Sequence, residues 1–429
     1  LILDIIKSIM ETLLLILSKL IFIISMYYLC ISFFGLYRKK ETKDVEPKKS
    51  FALIVAAHNE EKVIQDIIHS LKRLDYPKEL YDIFIIADNC TDKTAAKGRA
   101  AGAIVHERSS KTKRGKGFAL EWMFDKIFKM DKKYDAVVIF DADNLASRNF
   151  LREMNKKLLE GFKVVQGYLD SKNPHDTWIT GAYSVAFWTS NRMFQLSRRN
   201  LGLSNQLGGT GCCIDTEILK ELGWGATCLT EDLEFTCKLV LNGKKVGWAH
   251  DAVVYDEKPL TLAQSWWQRK RWMQGYADVA ERYFFKLVKK AIKELNFSAL
   301  DCALYSVQPI ITVLLGVALV VDFVNKIDSL FKIQSLSGAL HSVFNSSSID
   351  TMTVVIIIVS VLQFIYTPIL LIMDKKLTFR VFLYYLIFPI YTLTWIPISV
   401  QGILDKNNKE WSHTVHTRSV NISELEKVN

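Results

Sequence analysis

Three short groups of residues in this 429-residue chain have types and spacings that could do chemistry. Asp141-Ala142-Asp143 sets two carboxylates directly after the apolar run AVVIF, Ala136–Phe140. Like charges this close are costly unless a cation neutralises them. Oxygen donors at an open site suit Mg2+ or Mn2+, which would also hold a diphosphate. Taken alone, such a pair is more often a solvated loop. Thr230-Glu231-Asp232 precedes LEFTCKLVLNG, an amphipathic helical pattern. Its aspartate could complement the helix dipole, which the local sequence favours. It could also be a general base, with its pKa raised by the adjacent acid. Gln268-Arg269-Lys270-Arg271-Trp272 follows Ser265-Trp266-Trp267. Its cations could stabilise a departing diphosphate, and Trp272 offers a flat face to a sugar ring. An interfacial helix on a bilayer uses the same residue types, and two faces of one helix could do both.

Weaker signals surround these. Asp88 ends the run YDIFIIA and could accept hydrogen bonds from a base or ribose, or cap a turn. Lys116-Gly117 follows a basic loop, Lys111–Arg114, and could touch a diphosphate or simply be solvated. Gly208–Gly211 is the only glycine-dense loop and has neither Walker nor GxGxxG spacing.

The elements that must position these groups can be read from the hydrophobic pattern. FALIVAA (Phe51–Ala57), YDIFIIA (Tyr81–Ala87), AVVIF and Val164–Gly167 suit buried strands. Glu60–Leu74 has helical spacing, and Thr91 or Asp92 could cap a helix. The alternation predicts a doubly wound α/β domain with a mostly parallel sheet. Ligands in such folds bind beyond the carboxyl ends of the strands. His58-Asn59-Glu60, Asp88-Asn89 and Asp141–Asp143 are therefore expected to converge on one crevice.

Half of the residues are hydrophobic (50%), unevenly spread. Thr12–Leu36 is about one bilayer span, and Cys302–Val324, Thr351–Met373 and Val381–Leu404 are similar. Lysines and arginines at 38–49 and 289–293 predict a cytoplasmic domain between the spans. The seven cysteines show no CxxC pair or disulfide framework and read as reduced thiols. A net charge of +10 suits an anionic membrane or an anionic substrate.

In this order, Asp88, Lys116-Gly117, Asp141-x-Asp143, Val165-Gln166-Gly167, Gly209-Thr210-Gly211, Thr230-Glu231-Asp232 and Gln268-x-x-Arg271-Trp272 resemble the membrane-integrated processive synthases of glycosyltransferase family 2. These make cellulose, mixed-linkage β-glucan, hyaluronan or poly-N-acetylglucosamine. The resemblance is firm over about Phe51–Tyr283. It implies a GT-A-type α/β domain inserted between transmembrane helices. Its expected divisions are a first span over 1–37, the domain over 38–258, interface helices over 259–300, a channel region over 301–404 and a cytoplasmic tail over 405–429.

The resemblance also implies roles. Ala57, His58, Asn59, Glu60 and Asp88 hold the uridine. Lys116, Asp141 and Asp143 face the diphosphate, Asp143 through Mg2+ or Mn2+. Asp232, with Glu231 and Thr230, serves the acceptor hydroxyl as base. Gln268, Arg271 and Trp272 bind diphosphate and acceptor end, and Gln166, Gly209, Thr210 and Gly211 line the acceptor passage. Trp411, Thr414, His416, Thr417 and Arg418 resemble an element that closes over the nucleotide. Three C-terminal spans would put that element outside, so Pro389 and Pro397 are expected to turn Val381–Leu404 into a segment that does not cross simply. No long extension follows, so the β-barrel domain that binds cyclic dinucleotide in bacterial cellulose synthases is not expected.

The expected activity is inverting transfer from a UDP-sugar, UDP-glucose favoured, to a growing β-linked polysaccharide extruded across the plasma membrane. The expected partners are donor, polymer, bilayer and accessory membrane or export subunits, with no nucleic acid. Alternatives are poly-N-acetylglucosamine synthesis, a single transfer to a lipid-linked acceptor, and a non-enzymatic membrane scaffold.

Overall fold

The computed structural model describes residues 2–38, 45–225, 227–331, 351–408, 418, 420 and 422–426. Its eight strands are β1 (Phe51–Ala57), β2 (Tyr81–Asp88), β3 (Ile104–Arg108), β4 (Ala136–Asp141), β5 (Leu145–Ala146), β6 (Val164–Ser171), β7 (Cys212–Asp215) and β8 (Val246–Asp256). They form one sheet in the order β3-β2-β1-β4-β7-β6-β8-β5. The pairs β1–β2, β1–β4, β2–β3 and β6–β8 are parallel. Strand β7 runs against both neighbours and β5 against β8. The GT-A-like, mostly parallel α/β fold expected from the sequence is present.

Continuous apolar strands arise because both sheet faces are covered. Leu53 and Val55 pack with Ile64, Ile67 and Leu71 of the helix Ile64–Lys72 on one face. Ile54 packs with Leu120, Met123 and Phe124 of the helix Lys116–Lys129 on the other. The predicted helix over 60–74 is shorter because Glu60 and Asn59 belong to a loop, where Asn59 takes a left-handed φ of 55°. Asp92 does serve the next helix, accepting from the Thr94 backbone N–H at 2.9 Å.

Strand direction decides where the loops go. The carboxyl tips of β1, β2, β4, β6 and β8 share one edge of the sheet. Because β7 is reversed, its entrance Gly209–Gly211 lies at that same edge.

Among the described residues, two helices are long and apolar enough to cross a membrane, Leu15–Phe33 and Phe379–Leu404. A third arises if Phe297–Ser306 and Gln308–Val321, bent by 60°, are one span. Thr351–Met373 is also a helix. The segment Phe379–Leu404 is two helices joined at Thr394. Its first helix packs Val381 and Tyr385 on Trp188 and Trp248 of the α/β domain. Its second meets the helix Leu262–Glu294, where Trp266 Nε1 donates to Gln401 Oε1 at 2.9 Å and Gln274 Nε2 donates to the Asp405 carbonyl at 3.0 Å. The first end thus lies against the α/β domain and the second against the helix Leu262–Glu294. The tail lies against the α/β domain too: Ile422 is buried between Leu145 and Tyr255.

Candidate active site

The strand tips converge. A cavity of about 1910 Å³ is lined by Ala57, His58, Glu60, Asp88, Lys116, Asp141, Asp143, Gln166, Gly209, Thr210, Thr230, Glu231, Asp232, Gln268, Arg271 and Trp272. It continues past Tyr276, Tyr305, Gln308 and Thr312 to Leu315, Leu319, Trp395 and Ile396. Asp143 and Arg271, 128 residues apart in sequence (271 − 143), share its wall.

The β1 and β2 loops interlock. The Thr91 backbone N–H donates to Asn59 Oδ1 at 2.8 Å, and His58 Nδ1 lies 2.7 Å from the Asp88 carbonyl oxygen. Asp88 lines the cavity with one oxygen engaged. Its Oδ1 takes a hydrogen bond from Arg108 Nη1 at 2.5 Å. Arg108 also donates to the Lys113 carbonyl at 2.6 Å, pinning the basic loop over this end of the cavity. The signal was in the sequence: IVHER ends in arginine as YDIFIIAD ends in aspartate, and the register pairs Asp88 with Arg108.

Lys116 bridges two walls, donating from Nζ to Asp141 Oδ1 at 2.5 Å and to the Gly209 carbonyl at 2.8 Å. Asp143 Oδ2 accepts from the Glu257 backbone N–H at 2.8 Å, so the end of β8 presents a further acid beside the strand-tip pair. Among the described residues there is no group of three or more His, Cys, Asp or Glu side chains ready to hold a metal ion. Oxygen-only donors on a cavity wall fit Mg2+ or Mn2+ when substrate phosphates and water supply the other ligands. Asp143, with Asp141, would hold it.

Glu231 and Asp232 open the helix Glu231–Leu241. Burial, reinforced by the neighbouring aspartate, pushes the Glu231 carboxyl up to about 7. Burial also raises Asp232, to about 6. Asp232 Oδ1 accepts from the Leu233 N–H at 2.8 Å, while Oδ2 faces Gly209. A Cβ on Gly209, whose φ is +76°, would stand 3.3 Å from Oδ2. The two oxygens of Asp232 thus face different ways, one to its own helix start and the other to the glycine loop.

Thr230 lines the cavity and also packs against the helix Leu262–Glu294. It is 5% exposed, and a Cβ on Gly275 would meet its Oγ1 at 2.4 Å. Gly275 is a site residue that the motif did not include. Gln166 and Thr210 line the cavity and also tie its wall together. Gln166 is 0% exposed, accepts from the Gly208 N–H at 2.8 Å and donates to the Thr210 carbonyl at 2.9 Å. Thr210 Oγ1 accepts from the Asp141 N–H at 3.1 Å. These bonds fasten the glycine loop to the acidic strand tip.

The helix Leu262–Glu294 divides its cations by face. Positions three and four apart share a face, so Gln268, Arg271 and Trp272 line the cavity together. Arg269 turns away, donating to Thr394 Oγ1 at 2.8 Å and sitting 4.3 Å from the Tyr391 ring centroid. Lys270 pairs with Asp405. Tyr183 donates its hydroxyl to Gln268 Oε1 at 2.6 Å, and Trp272 stacks on Trp395 with centroids 6.4 Å apart. Trp411, Thr414, His416 and Thr417 lie outside the described residues. The Arg418 N–H donates to Glu257 Oε2 at 3.1 Å, and its guanidinium pairs with Asp176. That places residue 418 at the cavity's rim.

Known proteins agree with this architecture. The chain is 29% identical over 265 residues to the probable glycosyltransferase YdaM of Bacillus subtilis, covering 57% of this chain and 60% of that protein. It is 30% identical over 246 residues to the beta-monoglucosyldiacylglycerol synthase of Synechocystis, 53% of this chain and 48% of that one. A poly-beta-1,6-N-acetyl-D-glucosamine synthase of Staphylococcus aureus is 25% identical over 261 residues, 58% of this chain and 60% of the other. The matches thus span about half to three fifths of these curated relatives. A mannosyltransferase of Pyrobaculum calidifontis, solved with GDP-Man and Mn2+, shares the fold at a TM-score of 0.59 and 16% identity, covering 94% of this chain and 99% of that one. Residues 47–275, more than half of the chain, match the family model described as "Glycosyltransferase like family 2", and the chain belongs to that family.

Proposed function

We propose that this protein is a membrane-integrated, processive, inverting β-glycosyltransferase that polymerises a UDP-sugar, UDP-glucose favoured, into a cellulose-like or mixed 1,3/1,4-linked glucan. The observation that carries the reading is the single cavity joining the acidic strand tips to the helices beyond Trp272. A donor lies with uridine near Asp88 and its diphosphate between Asp143 and Arg271. Asp232, against Gly209, takes the proton from the acceptor hydroxyl as that oxygen attacks the anomeric carbon. The bond to the diphosphate breaks in line, so an α-linked donor gives a β-linkage. Arg271 and Lys116 meet the charge growing on the leaving group. A divalent cation held by Asp143 would supply Lewis acidity there. Trp272 gives the acceptor sugar a flat apolar face, and the product leaves past Tyr305, Gln308 and Thr312.

A second reading, single transfer to a lipid acceptor, is favoured by one observation. The far end of the cavity is apolar, at Leu315, Leu319, Leu393 and Ile396. Relatives named as glucosyldiacylglycerol synthases support it. Purified protein incubated with a panel of UDP-sugars and Mg2+ or Mn2+, followed by linkage-specific glycosidases, separates the two. Long glucan products fit the first reading, and single-addition products on lipid overturn it.

A further inference from the structure

The distal half of the helix Leu262–Glu294 leaves the cavity and carries a face that is exposed among the described residues. Phe285 is 78% exposed and Ile292 72%, and the turn after the helix exposes Leu295 and Phe297. Lys286, Lys289 and Lys293 are exposed on the same side. At about 100° per residue these five helical positions lie within an arc of roughly 120°. Among the described residues none of the three lysines makes an ion pair, whereas Lys290 pairs with Glu294 and Glu281 with Lys406. The neighbouring acids are thus already neutralised. The helix runs directly into the bent apolar pair Phe297–Ser306 and Gln308–Val321.

We propose that this face is a binding surface for anionic phospholipid headgroups, with Phe285, Ile292, Leu295 and Phe297 dipping into the acyl boundary and Lys286, Lys289 and Lys293 meeting lipid phosphates. Charge complementarity and continuity with an apolar helix select a lipid leaflet over a soluble partner. Lysine stems lie along apolar surface while their ammonium groups reach outward, which suits this depth. The inference rests on the membrane reading above. Its consequence is mechanical, because the same helix carries Gln268, Arg271 and Trp272, so lipid contact sets the height of the cavity wall relative to the bilayer.

The test uses the full chain in detergent and in vesicles. Binding of a fluorescent phosphatidylglycerol is compared with that of the matching phosphatidylcholine, with inorganic phosphate as competitor. The expected result is tighter binding of phosphatidylglycerol, weak competition by phosphate, and a loss of about fivefold for each lysine replaced in K286Q, K289Q and K293Q. The triple variant should keep wild-type sugar transfer in phosphatidylcholine vesicles and lose the acceleration that phosphatidylglycerol gives the wild type. Equal affinity for the two lipids, an unchanged triple variant, full competition by phosphate, or lipid-independent cross-linking of this face to a second copy would each overturn the proposal. Release of the protein from vesicles by alkaline carbonate would sink the membrane reading itself. Retention without lipid preference would sink this inference alone.

Discussion

The cavity walls proposed here for donor and for acceptor are built on different physics. On the donor wall, charged strand tips are held by charged partners: Asp88 by Arg108 and Asp141 by Lys116. On the acceptor wall, Trp272 is held by rings, those of Tyr183, Phe187 and Trp395, supplied by helices far apart in the chain. The donor wall is therefore sensitive to the removal of a single charge, most at Asp88–Arg108, where removal strands a buried partner. The acceptor wall is sensitive to shape. Asp232 stands where the two meet, beside Gly209.

Substitutions can break this contrast. Asp232→Asn should have the largest effect, a loss of about 10²–10⁴-fold in transfer, with donor affinity retained in equilibrium binding. Unchanged transfer would remove the proposed base. Trp272→Ala should slow transfer by about 10²-fold through misplacement of the acceptor, leaving donor affinity alone. A weakened donor would show that the two walls are not separable. Arg108→Met should do the opposite, raising the donor KM by about tenfold as Asp88 loses its buried partner, with little change in kcat. Gly275→Val should act through packing, pushing Thr230 off the helix that carries Trp272. A fall in thermal stability of about 1–3 kcal/mol is expected, and calorimetry measures it.

The pH profile gives the gentlest test. Asp232 is raised to about 6 chiefly by burial. The base works only when unprotonated, so transfer should be intact above that pH and halve near it as the pH falls. The residual activity of Asp232→Asn should be flat over the same range. An identical acid limb in both would assign the titration elsewhere, Glu231 being the neighbour to try next.

Much of the donor wall was legible because strand ends are punctuated in sequence. A buried parallel strand is a continuous apolar run, and the acid that closes the run marks its tip, as at Asp88 and Asp141. The reversal of β7 was not legible. CCID is too short and too apolar to declare a direction, yet that direction brings Gly209 to Asp232. Gln166 and Thr210 are placed in the acceptor passage by resemblance and both line the cavity, but the bonds that tie Gln166 to the glycine loop and Thr210 to Asp141 were not legible. Local pattern cannot distinguish a side chain that touches substrate from one that holds the group that does. The packing of one end of Phe379–Leu404 on the α/β domain and of the other on the helix Leu262–Glu294 was not legible either, because it joins segments far apart in the chain.

The amino-acid sequence alone determined the kinds of chemical group available, their order, and the alternation of apolar runs that lifts them to one edge of a sheet. Those properties are local, since each depends on a residue's own side chain and a few neighbours. Tertiary structure alone decided which acid is paired, which arginine of the Gln268–Trp272 stretch reaches the cavity, and which rings stack on Trp272. Those outcomes depend on register, strand direction and helix rotation, which are set by burial summed over contacts between distant segments.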